Sequence, residues 1–193
     1  SDPDVAATQL RERWQQRLPK DLSAWAWAQT ARNAALKLAP EAAAHYRTAW
    51  AEAESGNLSP AWSDDTLAWD VRAALRASTG AERWRSVQRA IDHMSDAERR
   101  DTAWRYWRAH AQRENAAPGA AGDPQRMQAQ AALQQLAGEL HFYGKLAADD
   151  LGQTVTLPPL PAALTPDERA AANAHPGLAR ALHLIALGLR SEG

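Results

Sequence analysis

Trp104-Arg105-Tyr106-Trp107-Arg108-Ala109, followed after a Gly/Ala/Pro-rich break by Leu136-Ala137-Gly138-Glu139-Leu140-His141-Phe142-Tyr143-Gly144-Lys145-Leu146-Ala147-Ala148-Asp149-Asp150-Leu151-Gly152, decides how this chain is read. The first segment is helical and carries three bulky aromatics. Trp104 and Trp107 lie three apart and share a face, whereas Tyr106 points elsewhere and is placed to hydrogen-bond across a helix pair. The second segment is a helix that ends in an aromatic elbow, Phe142-Tyr143-Gly144, and re-enters helix over Lys145 to Leu151. The elbow is expected to plug a tight corner, with Gly144 supplying an unusual backbone dihedral. Ala147 and Ala148 permit close helix contact. All of these positions read as packing rather than as ligand groups.

Outward from this stretch, apolar residues recur at three- and four-residue spacing almost throughout. Pro3 to Arg17 sets Val5, Leu10 and Trp14 on one side, with Leu18 just beyond. Leu22 to Leu38 carries Trp25, Ala28, Ala31, Ala35 and Leu38. Pro40 fits a first helical turn and opens a helix to about Ser55, with Tyr46 and Trp50 four apart. Gly56-Asn57 breaks it, and Gly56 reads as the stop. Ser63 or Asp64 caps a helix holding Leu67, Val71 and Leu75. The next holds Trp84, Val87, Ile91 and Met94. Ser95-Asp96-Ala97-Glu98 is a capping-box pattern that should start the helix of Trp104 and Trp107. Pro124 opens a helix through Leu133, Leu136 and Leu140. Thr154-Val155-Thr156-Leu157 is the one β-like run, and residues 153–163, with Pro158, Pro159 and Pro161, are expected to be extended. Thr165-Pro166-Asp167-Glu168 is another helix start, and a last helix from near Pro176 carries Leu178, Ala181, Leu182, Ile185 and Leu189.

Few β-branched residues and abundant Ala, Leu, Arg, Gln and Glu favour helix. The expected fold is therefore all-α: a right-handed α-superhelix, or α-solenoid, of stacked helical hairpins. Ala lets helices approach closely, and Trp fills the wedges that curvature opens. The expected organisation is a superhelical region over 1–114, a flexible connection over 115–124 and a linker-type helical region over 125–193. The chain starts at Ser1, as a processed protein would, and Arg190-Ser191-Glu192-Gly193 closing directly on an apolar helix reads as a cut inside a longer protein.

The 193 residues include 22 Lys+Arg, 23 Asp+Glu and no cysteine. The balanced charge, with no basic tail or block, points away from nucleic acid. The lack of cysteine excludes disulfides and thiolate metal sites. No apolar run approaches the roughly 20 residues that span a bilayer.

Nine tryptophans are many for this length, and indoles stack on sugar rings. Trp50, Trp69, Trp84, Trp104 and Trp107 sit at helical spacing with apolar partners and read as core. Trp25 and Trp27 are two apart and cannot share a face, so Trp27, with Trp62, is a candidate contact surface. The pairs Arg72/Arg76 and Arg85/Arg89 lie four apart. Both pairs read mostly as a solvated stripe, and as a positive stripe they could meet acidic peptide stems. Asp64/Asp65 and Asp149/Asp150 flank helix ends, where acids interact with the backbone dipole. The histidines at 45, 93, 110, 141, 175 and 183 are scattered without metal-ligand spacing. Gly119 and Gly122 follow no strand and form no phosphate loop. No cofactor is implied.

The Trp-Arg-Tyr-Trp stretch at Trp104, Arg105, Tyr106 and Trp107, with Phe142, Tyr143, Gly144, Ala147 and Ala148, resembles the soluble lytic transglycosylases of bacterial peptidoglycan. The resemblance is clearest over residues 99–152. It implies a periplasmic protein whose helical superhelix and linker region lack the catalytic domain. That missing C-terminal domain would cleave the MurNAc–GlcNAc bond to a 1,6-anhydro product, with one Glu acting as acid and then base. Glu54-Ser55-Gly56 echoes the family's catalytic Glu-Ser, but the downstream Gly-Leu-Met-Gln and Ala-Tyr-Asn-Ala-Gly stretches are absent. The resemblance thus implies a non-catalytic scaffold whose partners are glycan strands and the missing domain. The alternative is a tetratricopeptide-like helical-repeat module that binds protein partners.

Overall fold

A computed structural model describes residues 2–14, 16–154 and 159–191; residues 155–158, which hold most of the β-like run and Pro158, lie outside it. The fold is all-α, with no strand among the described residues. It divides into two compact units, Ser1–Val155 and Thr156–Gly193. Segment 115–124 falls inside the first unit, where Pro118 leads into a 3-10 turn at Gly119–Gly122 and Arg126 donates to the Ala117 carbonyl (2.8 Å).

The first unit runs α1 (Pro3–Gln9), a π-helical turn (Leu10–Trp14), α2 (Lys20–Leu36), α3 (Ala42–Ser55), α4 (Asp64–Ala77), α5 (Gly80–Asp92), α6 (Thr102–Glu114), α7 (Asp123–Ala137) and α8 (Phe142–Asp150). Successive helices pack on one another, as short connections demand, and α4 also packs on α2. The α2–α3 seam is built from small side chains: Ala31, Ala34 and Ala35 meet Ala42, Ala43 and Tyr46. Methyl-sized residues bring helix axes near the short end of the usual 8–10 Å range. Wider gaps take Trp27, Trp50, Trp62 and Trp104 with Leu67, Val71, Val87 and Ile91. A third cluster joins α6, α7 and α8 through Tyr106, Ala109, Leu133, Leu136 and Ala147.

Caps follow the sequence with instructive exceptions. Ser63 accepts from the Thr66 amide (3.3 Å) and starts α4. Ser95 accepts from the Glu98 amide (3.2 Å), but the box is not closed. The Ser95 amide donates to Asp64 (2.7 Å), and the Glu98 carboxylate accepts from Trp104 Nε1 (2.7 Å). Ser95 thus leads only to a single 3-10 turn, and Asp101 caps α6 through the Ala103 amide (2.8 Å). At the end of α3 the left-handed residue is Asn57 (φ 52°), while Gly56 has an ordinary φ of −89°. Gly56 is small for another reason: a Cβ there would sit 2.8 Å from Lys20 Cβ.

The second unit holds α9 (Pro166–Ala174) and α10 (Pro176–Ala186), packed on each other. Thr165 caps α9 as the sequence suggests, and with Glu168 it closes a reciprocal box, the Glu168 amide donating to Thr165 (3.2 Å) and the Thr165 amide to Glu168 (2.9 Å). None of the described helices is long and apolar enough to cross a membrane.

Candidate functional site

The aromatic signature assembles at the α6–α8 corner. Trp104 and Tyr106 are buried, and Trp107 packs against both the first and third clusters. Arg105 pairs with Glu139 (2.8 Å), which also accepts from His141 (2.9 Å). Those two hydrogen bonds, His141 first, hold the Glu139 carboxyl below its usual range. Tyr106 Oη donates to Asp150 (2.7 Å), spanning α6 to α8. His110 Nε2 reaches the same Asp150 oxygen (2.8 Å), and Arg113 reaches His110 Nδ1 (3.2 Å). Burial acts to raise the Asp150 carboxyl, yet the Tyr106 and His110 hydrogen bonds outweigh it and lower it. Because the bond is to a charged, half-sheltered acceptor, Tyr106→Phe is expected to lose about 1–2 kcal/mol. The check is a lower urea midpoint at unchanged slope.

Two expectations for this corner are corrected. Phe142 is not a plug: it is 70% exposed and lies edge-on to Tyr143. Tyr143 points inward instead, its ring 5.5 Å from Tyr106. Gly144 needs space rather than an unusual dihedral. It is a helical residue of α8, and its φ is not among the positive ones. A Cβ there would fall well inside contact distance of the Glu139 carbonyl oxygen and 2.7 Å from that of Leu136.

The tryptophan candidates are also reassigned. Trp27 is 1% exposed and belongs to the core. Its neighbour Trp25 is the exposed member of the pair, at 55%. Trp62 is buried, with its ring 4.5 Å from that of Trp50. Its accessible edge joins Trp25, Asp21, Leu22, Ser59 and Pro60 around a groove of about 310 Å³. An indole face flanked by a carboxylate and a hydroxyl suits a polar ring with one apolar face.

Arg72 and Arg76 project from α4 over a second groove, of about 490 Å³, between the C-terminal end of α2 and α4. Ala35, Ala39, Ala42 and Ala73 line it, with Trp69 and Leu38 beside them. The Arg72 guanidinium lies 4.9 Å from the Trp69 ring centre and 5.3 Å from that of Trp104. Leu38 is left-handed (φ 59°) and 52% exposed. It closes α2 as a Schellman turn, with Ala39 N on Ala34 O (3.0 Å) and Leu38 N on Ala35 O (2.9 Å).

The remaining charged candidates are engaged in packing. Glu54 pairs with Arg89 (3.1 Å), Asp65 with Arg32, and Asp64 with Ser95. Arg89 lies over the Trp50 ring at 4.5 Å. Arg85 stands with Arg89 at a shallow surface groove between α3 and α5. Among the described residues no group of three or more His, Asp or Glu side chains could hold a metal ion.

One residue escaped the sequence reading. Asp70 is 2% exposed and accepts from Trp50 Nε1 (2.7 Å). Burial raises its carboxyl from 3.8 to about 7, against the lowering effects of Trp50 and of the Arg89 charge. The signal was present: Leu67, Asp70, Val71 and Ala74 form one helical stripe, and an acid on an apolar stripe is a buried acid.

No protein-family model matches the chain, and no curated protein sequence matches it.

Proposed function

We propose that the chain is the non-catalytic helical scaffold of a periplasmic, lytic-transglycosylase-like enzyme of peptidoglycan. In this reading its hairpins continue as a right-handed superhelix. The MurNAc–GlcNAc bond is cleaved, to a 1,6-anhydro product, by a catalytic domain outside these residues. The reading is supported by one feature above all. Four of the residues that carry the resemblance, though drawn from segments about 40 apart in sequence, pack together: Tyr106, Trp107, Tyr143 and Ala147 share one cluster.

Within the scaffold, Trp25 is the surface offered to glycan strands. An exposed indole with Asp21 and Ser59 beside it provides a stacking face and hydrogen-bonding groups for hydroxyls. Co-sedimentation with purified sacculi tests this. The chain is expected in the pellet, and Trp25→Ala is expected to lower the pelleted fraction severalfold without changing the melting temperature. Equal pelleting of variant and wild type would remove Trp25 from the contact. A chain that stays in the supernatant would remove the scaffold reading itself. It would favour the second reading, a tetratricopeptide-like module for protein partners, which the apolar groove below Arg72 and Arg76 supports.

A further inference from the structure

The groove between the end of α2 and α4 combines three features that packing alone does not require. First, it is lined by apolar side chains: Leu38, Trp69 and Leu75 stand around a groove of about 490 Å³ whose base is closed by the largely buried Ala35, Ala42 and Ala73. That size falls within the range of small-molecule and peptide-residue sites. Second, two guanidiniums four residues apart on α4 overhang it, and among the described residues neither has a hydrogen bond or an ion pair. Five other arginines of this unit, Arg32, Arg47, Arg89, Arg105 and Arg108, pair with carboxylates, whereas Arg85 and Arg100 on other faces do not among the described residues. Arg72 is held by stacking on Trp69 and Trp104. Stacking uses the guanidinium faces and leaves the in-plane N–H donors free for a carboxylate. Third, Leu38 occupies the left-handed position that closes α2, where glycine is the usual residue, and still leaves half of its side chain in the open at the groove. A leucine in that conformation costs about 1 kcal/mol relative to glycine. Only about half of the residue is buried in return.

We infer that this groove binds an acidic peptide bearing alanine side chains, with methyl groups on the alanine floor, carboxylates on Arg72 and Arg76, and Leu38 as a lip. Two guanidiniums without a carboxylate partner among the described residues, set over an apolar groove, suit an occupant that is both anionic and small-chained. The peptide stems of peptidoglycan have this composition. Naming them as the source rests on the scaffold reading above. The groove then makes the scaffold read the stem as well as the sugar. The Trp25 groove lies toward the other end of α2, some 12 residues or about 18 Å along the helix.

Fluorescence polarisation with a labelled stem pentapeptide (L-Ala-γ-D-Glu-diaminopimelate-D-Ala-D-Ala) on the whole chain tests the inference. Saturable binding is expected, weakened at least tenfold by Arg76→Glu and by amidating the peptide carboxylates. Arg76 has no contact among the described hydrogen bonds and ion pairs, so its reversal leaves the fold intact. Leu38→Gly separates function from folding. It is expected to weaken binding several-fold while leaving the melting temperature unchanged or higher, the reverse of what a structural leucine would do. Absence of binding, or affinity indifferent to Arg76→Glu and to amidation, overturns the inference. So does preference for an all-L Ala/Glu peptide of equal charge, which would make the occupant a protein partner. Sacculi pelleting reports on the scaffold separately. Pelleting without stem-peptide binding overturns the groove inference and leaves the scaffold standing. Stem-peptide binding without pelleting supports the groove and overturns the scaffold.

Discussion

A Gly144→Ala variant is expected to lose about 3 kcal/mol or more of folding stability, from a single added methyl group. The new carbon would meet two backbone carbonyl oxygens, those of Glu139 and Leu136, rather than the far end of a flexible side chain. Backbone cannot swing aside without moving the end of α7 or the start of α8. The same turn is held by the Gly144 amide, which donates to His141 Nδ1 (3.1 Å) and so fixes how closely the two helices approach. A loss of this size lowers the melting temperature by about 6–12 °C in a domain of this length. Gly138, a few residues away, is the control. A Cβ there would find its nearest neighbour, Gln135 O, at 3.6 Å, an ordinary contact. Gly138→Ala is expected to stay within about 0.5 kcal/mol of the parent. Equal effects at the two glycines, read from urea midpoints, would contradict the tight corner on which the structural unit of α6, α7 and α8 depends.

The second large effect is a pH dependence that one atom pair removes. Asp70 titrates near 3.8 when unfolded and near 7 when folded. Between these values the unfolded chain has released its proton and the folded chain has not. Stability attributable to Asp70 is therefore fully present below about pH 4 and is lost as pH rises to about 7. The ceiling is about 1.4 kcal/mol for each pH unit between the two values, on the order of 4 kcal/mol in all. Among the described residues, the positive charge that offsets burial is Arg89 from α5, itself buried enough to be pushed below its ordinary range. Tyr46, on the α3 side, keeps its proton throughout, since burial and the Asp70 charge raise it. It donates to the Thr66 carbonyl (2.8 Å). Asp70→Asn retains an acceptor for Trp50 Nε1 and carries no charge. The variant is expected to match the parent near pH 4 and to exceed it by about 3 kcal/mol near pH 8. Carboxylates such as Asp150, whose carboxyl is lowered, act in the opposite direction in both proteins and cancel in the difference. Parallel stability profiles for parent and variant between pH 4 and 8 would show that Asp70 is not a buried acid of raised affinity for its proton.

Much of the fold is written locally. Helix period, Ser63, Thr165-Pro166 and Pro124 each act within one turn, and the structure uses all of them. What escapes is decided between elements. Ser95 carries a sound capping pattern, but Asp64, thirty-one residues earlier, takes its amide and Trp104 takes the Glu98 carboxylate. Trp25 and Trp27 are equivalent by spacing until α3 and α4 cover one side of α2 and leave the other open. Phe142 and Tyr143 differ in the same way: the inner position belongs to the ring that reaches Tyr106. Arg72 and Arg76 were visible as a pair four apart, whereas the groove beneath them is completed by Ala35, Leu38, Ala39 and Ala42 from outside α4. No local rule forecasts a left-handed leucine at that helix end.

We propose that these hairpins hold peptidoglycan while the chemistry resides elsewhere. The most direct measurement is incubation of the chain with purified sacculi, followed by separate analysis of the pellet for protein and of the supernatant for released muropeptides. Protein is expected in the pellet, with no 1,6-anhydro product above the buffer control. Protein left in the supernatant, or anhydro-muropeptides released by this chain alone, would contradict it.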